Sequence, residues 1–145
     1  MVHRTELKVR FYELDPYDHV NHTSYFGYFE TARVEALESI GWGLHRLKGL
    51  GVQIVVVDMT ARFDVPAVAG DTVAVESEVL EVKRASSRWR QTMTRDGETI
   101  ATLEVRAASI TTGGRPCRMP DGMAETLAGS GLASSTEARA WKSTS

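Results

Sequence analysis

One long amphipathic helix near the start of the chain, followed almost wholly by strand patterns, is the feature that most limits the possible folds. Tyr25, Phe29, Ala32, Ala36 and Ile40 recur at spacings of four and three, and Phe26 and Leu37 widen the stripe. That period belongs to a helix with one buried face. Glu30, Thr31, Glu35 and Glu38 lie mostly on the other side. Asn21, Thr23 and Ser24 offer N-caps, and Gly41 offers a stop. Gly27, inside the first turns, costs roughly 1 kcal/mol against alanine, and is read as a point where something approaches the backbone closely. A second helical piece, Leu44 to Lys48, sits between Gly43 and Gly49.

The rest alternates with a period of two. Before the helix, Leu7, Val9 and Phe11 alternate with Lys8, Arg10 and Tyr12, which predicts a half-buried strand. Asp15-Pro16-Tyr17-Asp18 breaks it. After Gly51, Val52 to Thr60 carries Ile54-Val55-Val56-Val57, the pattern of a strand buried on both faces, continuing through Phe63 to Val65. Pro66 and Gly70-Asp71 punctuate. In Thr72 to Lys83 the apolar parity shifts from Val73, Val75 and Val79 to Leu80 and Val82, which predicts a bulge. Ser87 to Arg95 places Trp89 and Met93 on one face and Arg88 and Arg90 on the other. Asp96-Gly97 is a two-residue hairpin signal. Thr99 to Ile110 closes the sheet, with Ala101, Leu103, Val105 and Ala107 on one face. Strand, long helix, then four strands joined by short turns predicts an α+β domain, its antiparallel sheet curled around the helix.

A chain of 145 residues makes one domain able to bury its own core without disulfides or metal. Asp121 to Ala128 has the length of one or two helical turns. From Gly129 the sequence turns to Gly, Ser, Ala and Thr, so residues 1–128 are assigned to the domain and 129–145 to a mobile tail. A net charge of −2 argues against non-specific binding of nucleic acid or membrane. Cys117 is the single cysteine, and neither a signal-type apolar segment nor a stretch long enough to span a bilayer is present. A cytoplasmic protein is expected.

The segment Val9 to Leu37, VRFYELDPYDHVNHTSYFGYFETARVEAL, resembles the signature of hotdog-fold acyl-CoA thioesterases, the group of 4-hydroxybenzoyl-CoA thioesterase and the long-chain acyl-CoA thioesterases. The matching residues are Asp15, His19-Val20-Asn21, Tyr25 and Phe29-Glu30-Thr31-Ala32-Arg33. A second segment, FDVPAVAGDTVAVESEV from Phe63 to Val79, resembles the family's strand, Pro-Ala, Gly-Asp, strand passage. The resemblance runs from about Leu7 to Ile110. It implies a hotdog fold with five or six antiparallel strands wrapped around the helix. It also implies a homodimer through sheet edges, often paired into a homotetramer, with active sites at the dimer interface and neither metal nor cofactor.

Hydrolysis of a thioester needs an activated water or nucleophile, and stabilisation of the carbonyl oxygen as it gains charge. Asp15, where strand gives way to turn, is the candidate general base or nucleophile. The first N–H groups of the helix lack internal partners. The resemblance points to backbone donors between Val20 and Tyr25, aided by Asn21 or the Tyr25 hydroxyl. His19 and His22 are secondary candidates. No further His or Cys cluster joins them, so a metal is not expected. His19 is read as holding the turn. Asp18 stands where many relatives carry glycine or glutamine, and is a second carboxylate near the first. Glu30 and Arg33, three apart on the helix, have the spacing of an ion pair, with Glu30 also a secondary site residue. Arg84, Arg88 and Arg90, with Lys83, form the densest basic group and the candidate contact for the phosphates of CoA. Tyr28, Trp42, Val56, Met59 and Trp89 are candidate acyl-pocket residues.

The nucleophile elbow of α/β-hydrolases is absent, and Cys117 has no nearby histidine in sequence. Three readings remain: hydrolysis of an acyl-CoA, hydrolysis of a thioester on an acyl carrier protein, and binding of acyl-CoA without hydrolysis. Asp15 favours the first.

Overall fold

The computed structural model describes residues 3–141. Five antiparallel strands form one sheet: β1 (His3–Lys8), β2 (Val52–Phe63), β3 (Thr72–Val82), β4 (Ser86–Arg95) and β5 (Glu98–Thr111). Their order across the sheet is β1-β3-β4-β5-β2. The long helix α1 (His22–Ser39) lies on one face, followed by a short α2 (Leu44–Gly49). Two further short helices, α3 (Met123–Gly129) and α4 (Thr136–Arg139), end the described chain.

The helix stripe buries as its spacing predicts. Tyr25, Phe29, Ala32, Ala36 and Leu37 are buried, and Tyr28 joins them. Phe29, Ala32 and Ala36 are wholly inaccessible. Two alanines there keep the backbone close to the sheet, and a buried Phe contributes roughly 2–3 kcal/mol. The inward residues of the sheet meet this face: Val73, Val75 and Val79 from β3, Trp89 and Met93 from β4, and Ala101, Leu103 and Val105 from β5. Gln91 brings an amide into this core, beside the equally buried Ser77. Gln91 Nε2 donates to the Phe29 carbonyl at 2.8 Å and to Ser77 Oγ at 2.9 Å. Its Oε1 accepts from Arg33 at 2.7 Å, so every buried polar atom of the amide group has a partner.

The turns follow their chemistry. Asp96 (φ +51°) and Gly97 (φ +81°) both take the left-handed conformation that a two-residue hairpin demands. The register slips between Val79 and Glu81, which is the bulge that the parity shift predicts.

Four expectations are corrected. The first strand ends at Lys8, and Phe11 to Glu13 form a single 3-10 turn. Val9 is buried as its parity predicts, but Phe11 is 81% exposed because the chain has turned. Second, β2 is not buried on both faces. It pairs with β5 alone, so it is a sheet edge, and Val57 at its bulge is 56% exposed. Third, a Cβ on Gly27 would meet nothing within 4 Å, so no neighbour in the chain explains that glycine. Fourth, the segment after Gly129 is not a loose tail up to Trp141. Leu132, Ala133 and Ala138 are buried. Val79 N–H donates to the Leu132 carbonyl and Ser134 N–H to the Val79 carbonyl. β1 covers β3 only from Thr72 to Ser77, and the last segment takes up the edge beyond. Residues 142–145 lie outside the described residues.

If the terminal segment is part of the core, Leu132→Ala lowers unfolding stability by about 2–4 kcal/mol. Urea denaturation measures this, and an unchanged midpoint is the outcome for a free tail.

Candidate active site

The two segments singled out in the sequence meet in space. The loop after the 3-10 turn folds back on itself: Leu14 bridges Val20, Asp15 N–H donates to the His19 carbonyl at 2.7 Å, and Asn21 N–H donates to the Glu13 carbonyl at 2.8 Å. The passage between β2 and β3 then supports it. His19 bridges Val68, and Val20 N–H donates to the Ala67 carbonyl at 2.8 Å. The passage is itself fixed by Asp71. That carboxylate accepts from Val68 N–H at 3.0 Å and from the Arg95 guanidinium at 2.7 Å. The Val68 N–H holds the Asp71 carboxyl below its usual range, and Arg95 adds to this.

Asp15 is half-buried at the base of the loop. Its Oδ1 accepts from Tyr17 N–H at 2.8 Å and His19 N–H at 3.1 Å. No hydrogen bond among the described residues reaches Oδ2. One oxygen is therefore anchored to the backbone while the other is available, the condition for a carboxylate that must point at a reacting water or carbonyl. Asp18 sits in the turn at φ +63°, a conformation that glycine takes freely and Asp tolerates. Its side chain is exposed. The backbone explains why a glycine suits this position.

Asn21 is the N-cap of α1. Its Oδ1 accepts from Thr23 N–H at 2.9 Å and from Thr23 Oγ1 at 2.8 Å. Between Val20 and Ser24 the backbone donors are nearly all committed. Val20 donates to Ala67, Asn21 to Glu13, Thr23 to the cap side chain, and Ser24 to the Asn21 carbonyl. Tyr25, the fourth residue of the helix, is where the internal ladder begins. Among the described residues the His22 N–H alone in this run meets no acceptor. This N–H stands at the positive end of an 18-residue helix.

The other expected residues divide. Tyr25 is buried, and its hydroxyl accepts from Ala67 N–H at 2.9 Å, so it ties α1 to the supporting passage. His19 holds the turn through its main chain, with its side chain exposed. Glu30 is exposed and does not form the expected ion pair. Arg33 turns inward to Gln91 instead, and burial pushes its guanidinium below the usual range while Glu30 opposes this. Arg88 and Arg90 face away from α1 and are already matched. Arg88 lies 3.9 Å from Glu104, and Arg90 lies 3.4 Å from Glu104 and 3.8 Å from Glu78. Arg84 stands apart from them in the β3–β4 turn.

Glu30 and Arg33 instead line a cavity of about 350 Å³ with Val34, Ile54, Val56 and Trp89. Of the expected pocket residues, Val56 and Trp89 are there, whereas Tyr28 and Trp42 belong to the core. Met59 is exposed on β2. A larger open groove of about 710 Å³ beside Trp42 and His45 lies near the far end of α1, about 27 Å along the helix from His22. Among the described residues no group of three His, Cys, Asp or Glu is placed to hold a metal ion, and no helix is long and apolar enough to cross a membrane.

Residues 9–127 match the model of the thioesterase-like superfamily. The chain belongs to that superfamily. It is 32% identical over 98 residues to the long-chain acyl-CoA thioesterase FadM of Escherichia coli, covering 66% of this chain and 71% of FadM. Among solved structures, the hypothetical protein TT1821 from Thermus thermophilus superposes with a TM-score of 0.82 at 31% identity, covering 86% of this chain and 95% of that one. A thioesterase complexed with coenzyme A and Zn, also from Thermus thermophilus, gives 0.74 at 31% identity, with 87% and 91% covered. The curled five-stranded sheet around one helix is the hotdog fold of this superfamily.

Sequence reasoning missed Glu13, which accepts from the buried Tyr28 hydroxyl at 2.7 Å, and Ala67, which braces the loop through its main chain. A glutamate two residues before Asp15 was the visible signal for Glu13. No side-chain pattern marks a main-chain role such as that of Ala67.

Proposed function

We propose that this protein hydrolyses acyl-CoA thioesters, with Asp15 as the reacting carboxylate and the His22 N–H as the donor to the carbonyl oxygen. The observation that carries this is the pairing of a carboxylate oxygen left available with a helix-start N–H left without an acceptor, on two sides of one short bridged loop. As general base, Asp15 Oδ2 takes a proton from water while the water oxygen bonds to the thioester carbon. The carbonyl oxygen becomes an anion and is met by the His22 N–H and the dipole of α1. Collapse breaks the carbon–sulfur bond, and the CoA thiolate leaves and takes up the proton. In the nucleophilic alternative, Asp15 bonds to the carbonyl carbon, expels the thiolate, and the resulting anhydride is hydrolysed. The cavity beside Glu30 and Trp89 begins about 12 Å further along the helix, in position for the acyl group.

A panel of acyl-CoAs with detection of free thiol tests this. Asp15→Asn lowers kcat by at least about 100-fold on the substrate class that the wild type turns over. His22→Pro removes the N–H at the first helical position, where proline is favoured, behind a residue already extended (φ −59°, ψ 133°). The fold is retained and kcat drops on the order of 100-fold. Wild-type turnover in either variant refutes the role given to that residue. Thioesters on an acyl carrier protein belong in the same panel, and activity confined to them moves the substrate to that carrier.

The edge of β2 supports a homodimer. Val56, Val57, Met59 and Phe63 are each at least 40% exposed on β2, which pairs with β5 on one side and forms the edge of the sheet on the other, an arrangement that a monomer in water avoids. Paired β2 edges would cover them. Val56→Glu with Met59→Glu is expected to shift sedimentation from dimer to monomer, and a wild-type species at the dimer mass in the double variant counts against this interface. The single cysteine, without a disulfide partner, supports a reducing, cytoplasmic setting.

A further inference from the structure

The loop that presents Asp15 is braced on one side by the passage between β2 and β3, through the His19–Val68 bridge and the Val20–Ala67 hydrogen bond. Residues 16–19 are all exposed, and the hydrogen bonds to the Asp15 carboxylate come from Tyr17 and His19 in the same loop. The inner geometry of the loop is therefore self-made, and besides the brace through Ala67 a second tie joins the loop to α1. Glu13 supplies it. Its carboxylate is 14% exposed, and Oε1 accepts from the Tyr28 hydroxyl at 2.7 Å and from the Arg10 N–H at 2.8 Å. Its carbonyl accepts from the N–H of Asn21, the helix cap, at 2.8 Å. Tyr28 is a buried residue of α1 that meets Tyr25 edge-on at 6.3 Å, and Tyr25 holds Ala67 in turn. Burial and the Glu13 hydrogen bond both push the Tyr28 phenol above its ordinary range, so it stays a donor.

We propose that Glu13 and Tyr28 are positioning residues for hydrolysis, their hydrogen bond fixing the Asp15 carboxylate against the His22 N–H at the start of α1. This rests on the roles given to Asp15 and His22 above. The two reacting groups lie on opposite arms of the loop, and the side chain of Glu13 holds one arm while its carbonyl holds the other. A displacement of about 1 Å between such groups costs on the order of 100-fold in rate. What Glu13 supplies is an acceptor in the right place. A glutamine carbonyl supplies the same, so neither the charge nor a proton of Glu13 enters the reaction.

The test uses the full chain and an acyl-CoA that the wild type hydrolyses, at a temperature where each variant is folded by its melting curve. Tyr28→Phe and Glu13→Ala lower kcat by about 10- to 100-fold with KM within about twofold of wild type. Glu13→Gln restores kcat to within about threefold. Amide exchange at Asn21, whose N–H donates to the Glu13 carbonyl, quickens in the first two variants and not in the third. Wild-type kcat in Tyr28→Phe overturns the proposal. So does a Glu13→Gln variant as slow as Glu13→Ala, which would make the charge itself necessary. Asp15→Asn run alongside separates the two failures: activity retained there removes the reacting carboxylate, whereas an inactive Asp15→Asn beside a fully active Tyr28→Phe removes the positioning role alone.

Discussion

Everything in this molecule hangs on the burial of one helix face against one sheet. Phe29, Ala32 and Ala36 are closed off completely, and the alanines allow the close approach that curls β3, β4 and β5 around α1. The contact is not purely apolar. Gln91 reaches from β4 to the Phe29 carbonyl and also binds Arg33 and Ser77. A hydrogen-bonded amide in an apolar core resists sliding, because a shift would strand its donors at a cost of about 1–3 kcal/mol. The helix start is thereby placed with respect to the sheet, and the site depends on that placement.

The site is assembled mostly from backbone. Asp15 is oriented by two main-chain N–H groups, the loop is braced by the Ala67 carbonyl, and the donor proposed for the carbonyl oxygen is the main-chain N–H of His22. Side chains act chiefly as struts: Asn21 caps the helix, Tyr25 holds Ala67, Asp71 with Arg95 stiffens the supporting passage, and Glu13 with Tyr28 ties the loop to α1. Backbone donors need little reorganisation when charge develops, and a helix start supplies them wherever a cap leaves one uncommitted.

The outer face of the sheet has another character. Arg88, Arg90 and Arg106 alternate with Glu78, Glu81 and Glu104 across neighbouring strands. Read along β4 alone, Arg88 and Arg90 are a basic group. The carboxylates that pair with them come from β3 and β5, more than nine residues away in sequence, so local composition gave the wrong impression of unmatched charge. Exposed pairs of this kind add about 0–1 kcal/mol each.

The periodicity of Tyr25 to Ile40, the parity of Trp89 and Met93, the Asp96-Gly97 turn and the bulge after Val79 were all legible in the sequence, because each is set by local geometry: 3.6 residues per helical turn, two per strand repeat, and the few residues that accept positive φ. The helix cap was legible for the same reason, whereas Asp15 was singled out by the resemblance of Val9 to Leu37 to a family signature. What the sequence could not decide was which side of an element would be covered. Ile54 to Val57 read as a doubly buried strand, yet sheet order puts them at an edge. Leu132 to Ala138 read as a tail, yet they lie along the edge of β3 that β1 leaves uncovered. Phe11 continued an alternation that the 3-10 turn ended. Burial is a property of neighbours brought together from distant parts of the chain, and so are the meeting of Val20 with Ala67 and of Glu13 with Tyr28. The sequence determined the elements and singled out Asp15 as the candidate carboxylate; the tertiary structure decided which surfaces are covered and which donor stays open.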